Sequence, residues 1–190
     1  MAARKSTRFT RVDSAHRGLF VFWRLWRLFG SFLLAILASR NILGLQSRIT
    51  AIDTVAHATL FFGLIAMPFA IFSGVQSSPG GDINHPLLVN KMLLSTASLG
   101  LAIGVLASRR MVGERVWSQP YSRELQGIGG MAASGLILLT ASIGGTFSRG
   151  ESLLDIFKLP YETVPLMPLW MSCTILVIAL INLRTALQKA

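Results

Sequence analysis

The stretch HPLLVNKMLLSTASLGLAIGVLASRR, residues 85–110, decides the fold class of this chain. It is long enough to cross a bilayer, because a spanning helix needs about 20 mostly apolar residues. Three further segments of the sequence meet the same criterion. The sequence therefore predicts an all-α membrane bundle, with a four-helix transmembrane domain over 51–190. The predicted spans are 51–75, 86–108, 126–146 and 165–186.

Composition excludes a soluble globular domain. Hydrophobic residues make up 52% of the 190 residues and charged residues only 14%. In a membrane chain, a net charge of +10 indicates first how the chain is oriented in the membrane. We therefore expect no nucleic-acid partner. The single cysteine, Cys173, lies in an apolar span, so this chain cannot form an internal disulfide or a thiolate metal cluster.

The segment GLFVFWRLWRLFGSFLLAILA, residues 18–38, is also long enough to span, but Arg24 and Arg27 lie near its centre. Arginines on one helical face with aromatic residues around the rest are typical of an interfacial amphipathic helix. We therefore predict a basic cytoplasmic tail over 1–17 and an amphipathic interfacial helix over 18–40. Arg24 and Arg27 are its predicted contacts to lipid phosphate or to a partner. The alternative is a fifth span, in which these arginines face a partner helix.

Charge counting favours four spans. With the N-terminal segment on the surface, 15 of the 18 lysines and arginines fall on one side of the membrane and two on the other. With five spans they divide almost evenly. The positive-inside rule then predicts that both termini are cytoplasmic, in what we expect to be a prokaryotic plasma membrane.

Lys91 is the unusual residue of the second span. Its side chain could extend to the headgroups, balance a bound anionic group, or pair with a carboxylate such as Asp82 or one on another subunit. Gly100 and Gly104 lie on another face of the same helix, in a spacing that permits close helix packing. We therefore expect this helix in the middle of the bundle, with Lys91 facing inward or toward a partner.

The third span, QGIGGMAASGLILLTASIGGTFSRG, is dense in small residues. Gly129 and Gly130 are predicted helix-packing positions. The alternative is that the small residues leave room for a flat ligand such as a quinone or a porphyrin.

His57 is the main candidate cofactor ligand, and Met67 on the same helix is a weak second one. His57 follows Asp53 by four residues, so the carboxylate could orient the imidazole for haem b or metal ligation, or the two could form a satisfied polar pair. His85 opens the second span, where a capping or loop role is expected, with Asn84 as the predicted helix cap. His57 and His85 lie about 27 Å apart along the membrane normal, so they cannot share one haem iron.

The segment 51–150 resembles a family of small four-helix membrane proteins of bacteria and archaea that has no assigned function. The resemblance rests on HATLFFGLIAMPFAIFSGV, on the His-then-Asn opening and terminal arginines of 85–110, and on SIGGTFSRG. This chain departs from the family in two respects: 18–38 lacks the His-Pro start of the family's first span, and the fourth span is extra. A fainter similarity to di-haem b-type cytochromes lacks the paired histidines on two helices.

These observations lead to a functional hypothesis. The sequence contains no complete catalytic set and no metal motif, so an enzyme in its own right is not expected. We predict a non-catalytic membrane subunit that packs with larger partner subunits and with lipids, including anionic headgroups, in an energy-converting or redox complex. The alternatives are an electron-transfer protein that binds haem b or quinone near His57, and a small transporter or channel.

Overall fold

Helix α3, Pro86–Val112, lies at the centre of the fold. It packs against three other long helices, and half of its spanning residues are buried inside the chain. This confirms the prediction that the second span occupies the middle of the bundle.

The computed structural model describes residues 27, 29–42, 44–76, 85–149 and 164–188. These residues are mostly helical with no strand among them, which confirms the all-α prediction. The helices are α1 (Phe29–Ser39), α2 (Ile49–Gln76), α3, α4 (Pro120–Arg149) and α5 (Leu169–Gln188), and 3₁₀ turns cover Gln46–Arg48 and Gly113–Trp117. Four of the helices, α2 to α5, are long and apolar enough to cross a membrane, which fits an integral membrane protein.

Local capping residues mark both the start and the end of α3. His85 is the N-cap, and its Nδ1 accepts a hydrogen bond from the Leu87 N–H at 3.3 Å, with Pro86 in the first turn. Gly113 ends the helix at a φ of +70°, which favours glycine, and its N–H bonds to the Arg109 carbonyl. The expected capping role of His85 is confirmed. The prediction of Asn84 as the cap was wrong, and Asn84 itself lies outside the described residues.

Two predicted helix starts differ from the structure, and proline explains both. Helix α4 begins at Pro120, earlier than the predicted 126, because proline is well suited to the first turn of a helix. Helix α5 begins at Leu169, later than the predicted 165, because Pro165 and Pro168 disfavour a helix before them.

The side-chain contacts fix the directions of the helices. Ser98 donates to the Ala133 carbonyl at 3.0 Å, while Lys91 lies beside Gly144, so α3 and α4 are antiparallel. Helices α3 and α5 are parallel, since the start of each helix is joined through Asn90 and Gly100 lies against Leu176 further along.

The described part of the N-terminal segment packs along the bundle. Phe32 lies over Gly130 and Ile36 over Gly127, so α1 runs antiparallel to α4. Phe32, Ala35 and Ile36 are buried in these contacts. Over residues 29–39, apolar side chains of α1 thus fill the space left by α4 glycines, and the choice between an interfacial helix and a fifth span stays a prediction. The tail 1–17 and the first part of the predicted helix lie outside the described residues.

The bundle has one strongly basic end, which carries the α1–α2 and α3–α4 connections and the last turns of α5. We call it the arginine end. Among the described residues, all arginines except Arg27 and Arg149 lie there: Arg40, Arg48, Arg109, Arg110, Arg115, Arg123 and Arg184. The other end, with the starts of α3 and α5, is called the opposite end.

Candidate functional site

A buried polar network near the arginine end is the most elaborate site in the described chain. Its centre is the Asp53 carboxylate, which is 2% exposed. One carboxylate oxygen accepts from Trp117 Nε1 at 2.5 Å and faces His57 Nδ1 at 2.9 Å. The other oxygen accepts from Arg109 Nε at 2.8 Å and lies 2.7 Å from its terminal nitrogen. The negative charge of Asp53 is therefore matched by a guanidinium within the protein.

Both ring nitrogens of His57 have polar partners inside the bundle. Nδ1 faces two acceptors, the Asp53 carboxylate and the Asp53 carbonyl at 2.8 Å, so Nδ1 carries a proton. The Gln126 amide nitrogen lies 2.6 Å from His57 Nε2 and donates to the Val105 carbonyl at 3.0 Å. With one amide hydrogen on each acceptor, the network is consistent with a neutral imidazole whose Nε2 accepts.

Four elements position these side chains. Asp53 and His57 lie one turn apart on α2, while Arg109 is in the last turn of α3. The turn at Gly113 redirects the chain so that Trp117 comes back over the network. Gln126 reaches it from α4, and the Phe32 ring of α1 meets the imidazole edge-on at 5.4 Å. Residues from every helix except α5 thus meet at one point.

The network joins α2, α3 and α4 through hydrogen bonds and one buried ion pair, so its evident role is structural. Removing one partner from a buried charge pair costs several kcal/mol, although the intact pair adds little net stability. Both ring nitrogens of His57 already have protein partners, so a haem iron would have to displace Gln126 from Nε2. No group of three or more His, Cys, Asp or Glu side chains in the described ranges is arranged to hold a metal ion.

Sequence reasoning found two of the five polar residues of this network. Asp53 and His57 lie together as their spacing predicts, but Arg109, Trp117 and Gln126 were not singled out. Arg109 was counted as a topology charge and as one of the terminal arginines of 85–110 that support the family resemblance. Gln126 carried a usable signal, since a buried amide in an apolar helix needs a hydrogen-bond partner.

Lys91 lies near the opposite end, away from the network. It is half-buried, and a Cβ on Gly144 would lie 3.5 Å from its ammonium nitrogen. The ammonium is thus near the C-terminal end of α4, where the helix dipole favours a cation. No hydrogen bond or ion pair joins Lys91 to another residue of the described segments. Asp82, its candidate partner, lies outside them.

Asn90, the neighbour of Lys91, entered the sequence analysis only through the family resemblance. Its amide nitrogen donates to the Val164 carbonyl at 2.9 Å, and its oxygen accepts from the Leu166 N–H at 2.7 Å. One fully buried side chain thereby joins the start of α3 to the segment that precedes α5.

The predicted packing glycines differ in how closely another helix approaches them. A Cβ on Gly100 would be 2.9 Å from the Leu176 backbone, and one on Gly129 would be 3.0 Å from Val105. At Gly130 a Cβ would overlap the Phe32 ring, whereas at Gly104 the nearest atom is the Ala179 Cβ, at 4.0 Å.

Of the two arginines predicted to contact lipid or a partner, Arg27 is exposed and Arg24 lies outside the described residues. Arg27 does not belong to the buried network.

Comparisons of the chain with protein-family models, with curated proteins and with solved structures give no match. The resemblance to small four-helix membrane proteins therefore stays a prediction, and function has to be argued from the site itself.

Proposed function

We propose that this chain is a non-catalytic membrane subunit that packs within a larger membrane complex. The observation that carries this proposal is the contrast between the inside and the outside of the bundle. Inside, the polar groups around Asp53 hydrogen-bond to one another and hold α2, α3 and α4 together. Outside, α2 and α5 present broad apolar faces, since only 22% and 17% of their spanning residues are buried, against 50% for α3.

The outer face of α2 is the proposed contact surface for partner subunits. Phe62, Phe69 and Phe72 are about 70% exposed there, and Ile65 lies among them. Large aromatic side chains dominate the energetics of many interfaces, because each can bury a large area. Lipid can cover such a face equally well in an isolated chain, so the experiment must distinguish protein from lipid.

Site-specific photocrosslinking makes this distinction. A benzoylphenylalanine is placed at Phe69 or Phe72, one position at a time, and the full chain is irradiated in its native membrane. The proposal predicts a discrete protein adduct whose mass exceeds that of the chain by a fixed amount. The same probe at buried Phe32 is the matched control, and it should give no intermolecular protein adduct.

Adducts to lipid alone at every position on α2 and α5 would overturn the proposal. So would purification in mild detergent that yields only the isolated 20.7 kDa chain from its native membrane.

The proposed orientation places the arginine end in the cytoplasm. This rests on the positive-inside rule, because described basic residues concentrate at that end. The end of α5 is then cytoplasmic, since α5 ends on the same side as α3.

A further inference from the structure

Four arginines at the arginine end are exposed and lack a carboxylate partner in the described chain. They are Arg48, Arg110, Arg115 and Arg184. No ion pair joins any of them to an acidic side chain within the described ranges. They lie on or beside three of the spanning helices: at the start of α2, at and beyond the end of α3, and near the end of α5.

Most acidic residues of the arginine end already form ion pairs with other arginines. Among the described residues it holds Asp53, Glu114 and Glu124. Asp53 is buried and paired with Arg109. Glu124 contacts Arg40 and lies 3.6 Å from Arg123. Glu114 is therefore the one acidic side chain of the described end without an ion pair, so positive charge remains in excess.

The position of these arginines determines which anion they meet. The ends of spanning helices lie at the depth of the lipid headgroups, and exposed Tyr121, at the same end, is of a type enriched at that depth. A guanidinium matches a phosphate through two parallel hydrogen bonds, which an ammonium cannot reproduce. All the exposed basic residues of the described arginine end are arginines.

We propose that these four arginines form a binding surface for the phosphates of anionic phospholipid headgroups in the adjoining leaflet. Each exposed cation attracts a negatively charged leaflet, and the attraction fades within a Debye length. The proposal is independent of whether the chain packs within a larger complex, because it needs only the isolated bundle in its membrane.

The test uses the purified full chain in neutral detergent micelles doped with phosphatidylglycerol or with phosphatidylcholine. Retained lipids are counted by native mass spectrometry. Wild type should retain phosphatidylglycerol in preference to phosphatidylcholine, and each Arg→Gln change at 48, 110 or 115 should weaken that binding about fivefold. Arg40→Gln is the matched control, because Arg40 is at the same end but already has Glu124 as its partner, so its effect should be smaller.

Equal retention of the two lipids by wild type would overturn the proposal, as would an undiminished preference in a variant that combines the Arg→Gln changes at 48, 110 and 115. Helical circular dichroism checks that each variant is folded. Wild type also offers a test without mutation, since its preference for phosphatidylglycerol should fall as sodium chloride is raised.

Discussion

Asp53 is the residue on which the arginine end depends. Its carboxylate receives hydrogen bonds from three side chains on α2, on α3 and on the turn that follows α3. A buried carboxylate is tolerated only when it is paired and hydrogen-bonded. Arg109 meets that need, and it remains 22% exposed at the edge of the network.

Asp53→Asn should therefore destabilise the bundle, in large part because Arg109 loses its counter-charge. The change keeps the shape of the side chain but leaves the Arg109 guanidinium beside a neutral amide, with no counter-charge. We expect the free energy of unfolding to fall by about 3 kcal/mol, at the lower end of the range for breaking a buried pair because Arg109 keeps some contact with solvent. The measurement is SDS-induced unfolding in mixed micelles, followed by circular dichroism.

Arg40→Gln is the control for that prediction, since it breaks an ion pair at the same end of the bundle. The Arg40–Glu124 pair is solvent-exposed, and exposed pairs contribute little. If both changes lowered the free energy of unfolding equally, the burial of the Asp53 network would not explain its contribution to stability.

His57 leads to a spectroscopic prediction. Because its Nδ1 faces Asp53 and its Nε2 lies 2.6 Å from the Gln126 amide nitrogen, an iron atom would have to displace a protein partner from either ring nitrogen. Protein purified in mild detergent should show no Soret band, either oxidised or reduced with dithionite. A Soret band that is lost in His57→Ala and kept in His85→Ala would contradict this reading and favour the cytochrome alternative.

At the scale of elements, Gly100 and Gly104 of α3 differ in the atoms that lie opposite them on α5. A Cβ at Gly100 would meet the backbone of α5 at 2.9 Å, and backbone cannot rotate away. A Cβ at Gly104 would lie 4.0 Å from the Ala179 Cβ, an ordinary contact. The pair therefore contains one position that requires glycine and one that does not.

Gly100→Ala should lower the free energy of unfolding by about 1–3 kcal/mol, because it forces α3 and α5 apart. Gly104→Ala should leave it unchanged or raise it by at most about 1 kcal/mol, because alanine is favoured over glycine in helices. Thermal and SDS unfolding of the two variants, side by side, check this. If Gly104→Ala proved the more damaging, the α3–α5 packing described above would be wrong.

The same comparison shows how far the sequence could predict the fold. Apolar length alone predicts the four spanning helices, because a spanning helix needs a long apolar run whatever its partners are. The small-residue spacing also identifies Gly100 as a contact position. Sequence spacing cannot say which helix lies opposite, so the difference between Gly100 and Gly104 emerges only from the packed structure.

The buried network shows the same limit for the candidate site. Asp53 and His57 are four residues apart, so their pairing follows from helical periodicity alone. Arg109, Trp117 and Gln126 reach the site from later segments, and their convergence depends on the turn after α3. Local sequence patterns do not encode such long-range contacts.

At the scale of the whole molecule, charge divides the described bundle into two unlike ends. The arginine end holds seven of the nine described arginines, while Lys91 lies near the opposite end. A membrane retains basic residues preferentially on its cytoplasmic side, so this asymmetry predicts a single orientation.

Cysteine labelling in intact cells tests the orientation. In a Cys173→Ser background, Ser118→Cys places an exposed thiol at the arginine end, and Val164→Cys places one at the opposite end. A membrane-impermeant maleimide should label the thiol at 164 in intact cells, because that end faces outward, and the thiol at 118 only after permeabilisation. The reverse pattern would place the arginines outside and contradict the positive-inside assignment. Labelling of both thiols in intact cells would contradict the proposed crossing between residues 118 and 164, since α4 connects the two ends.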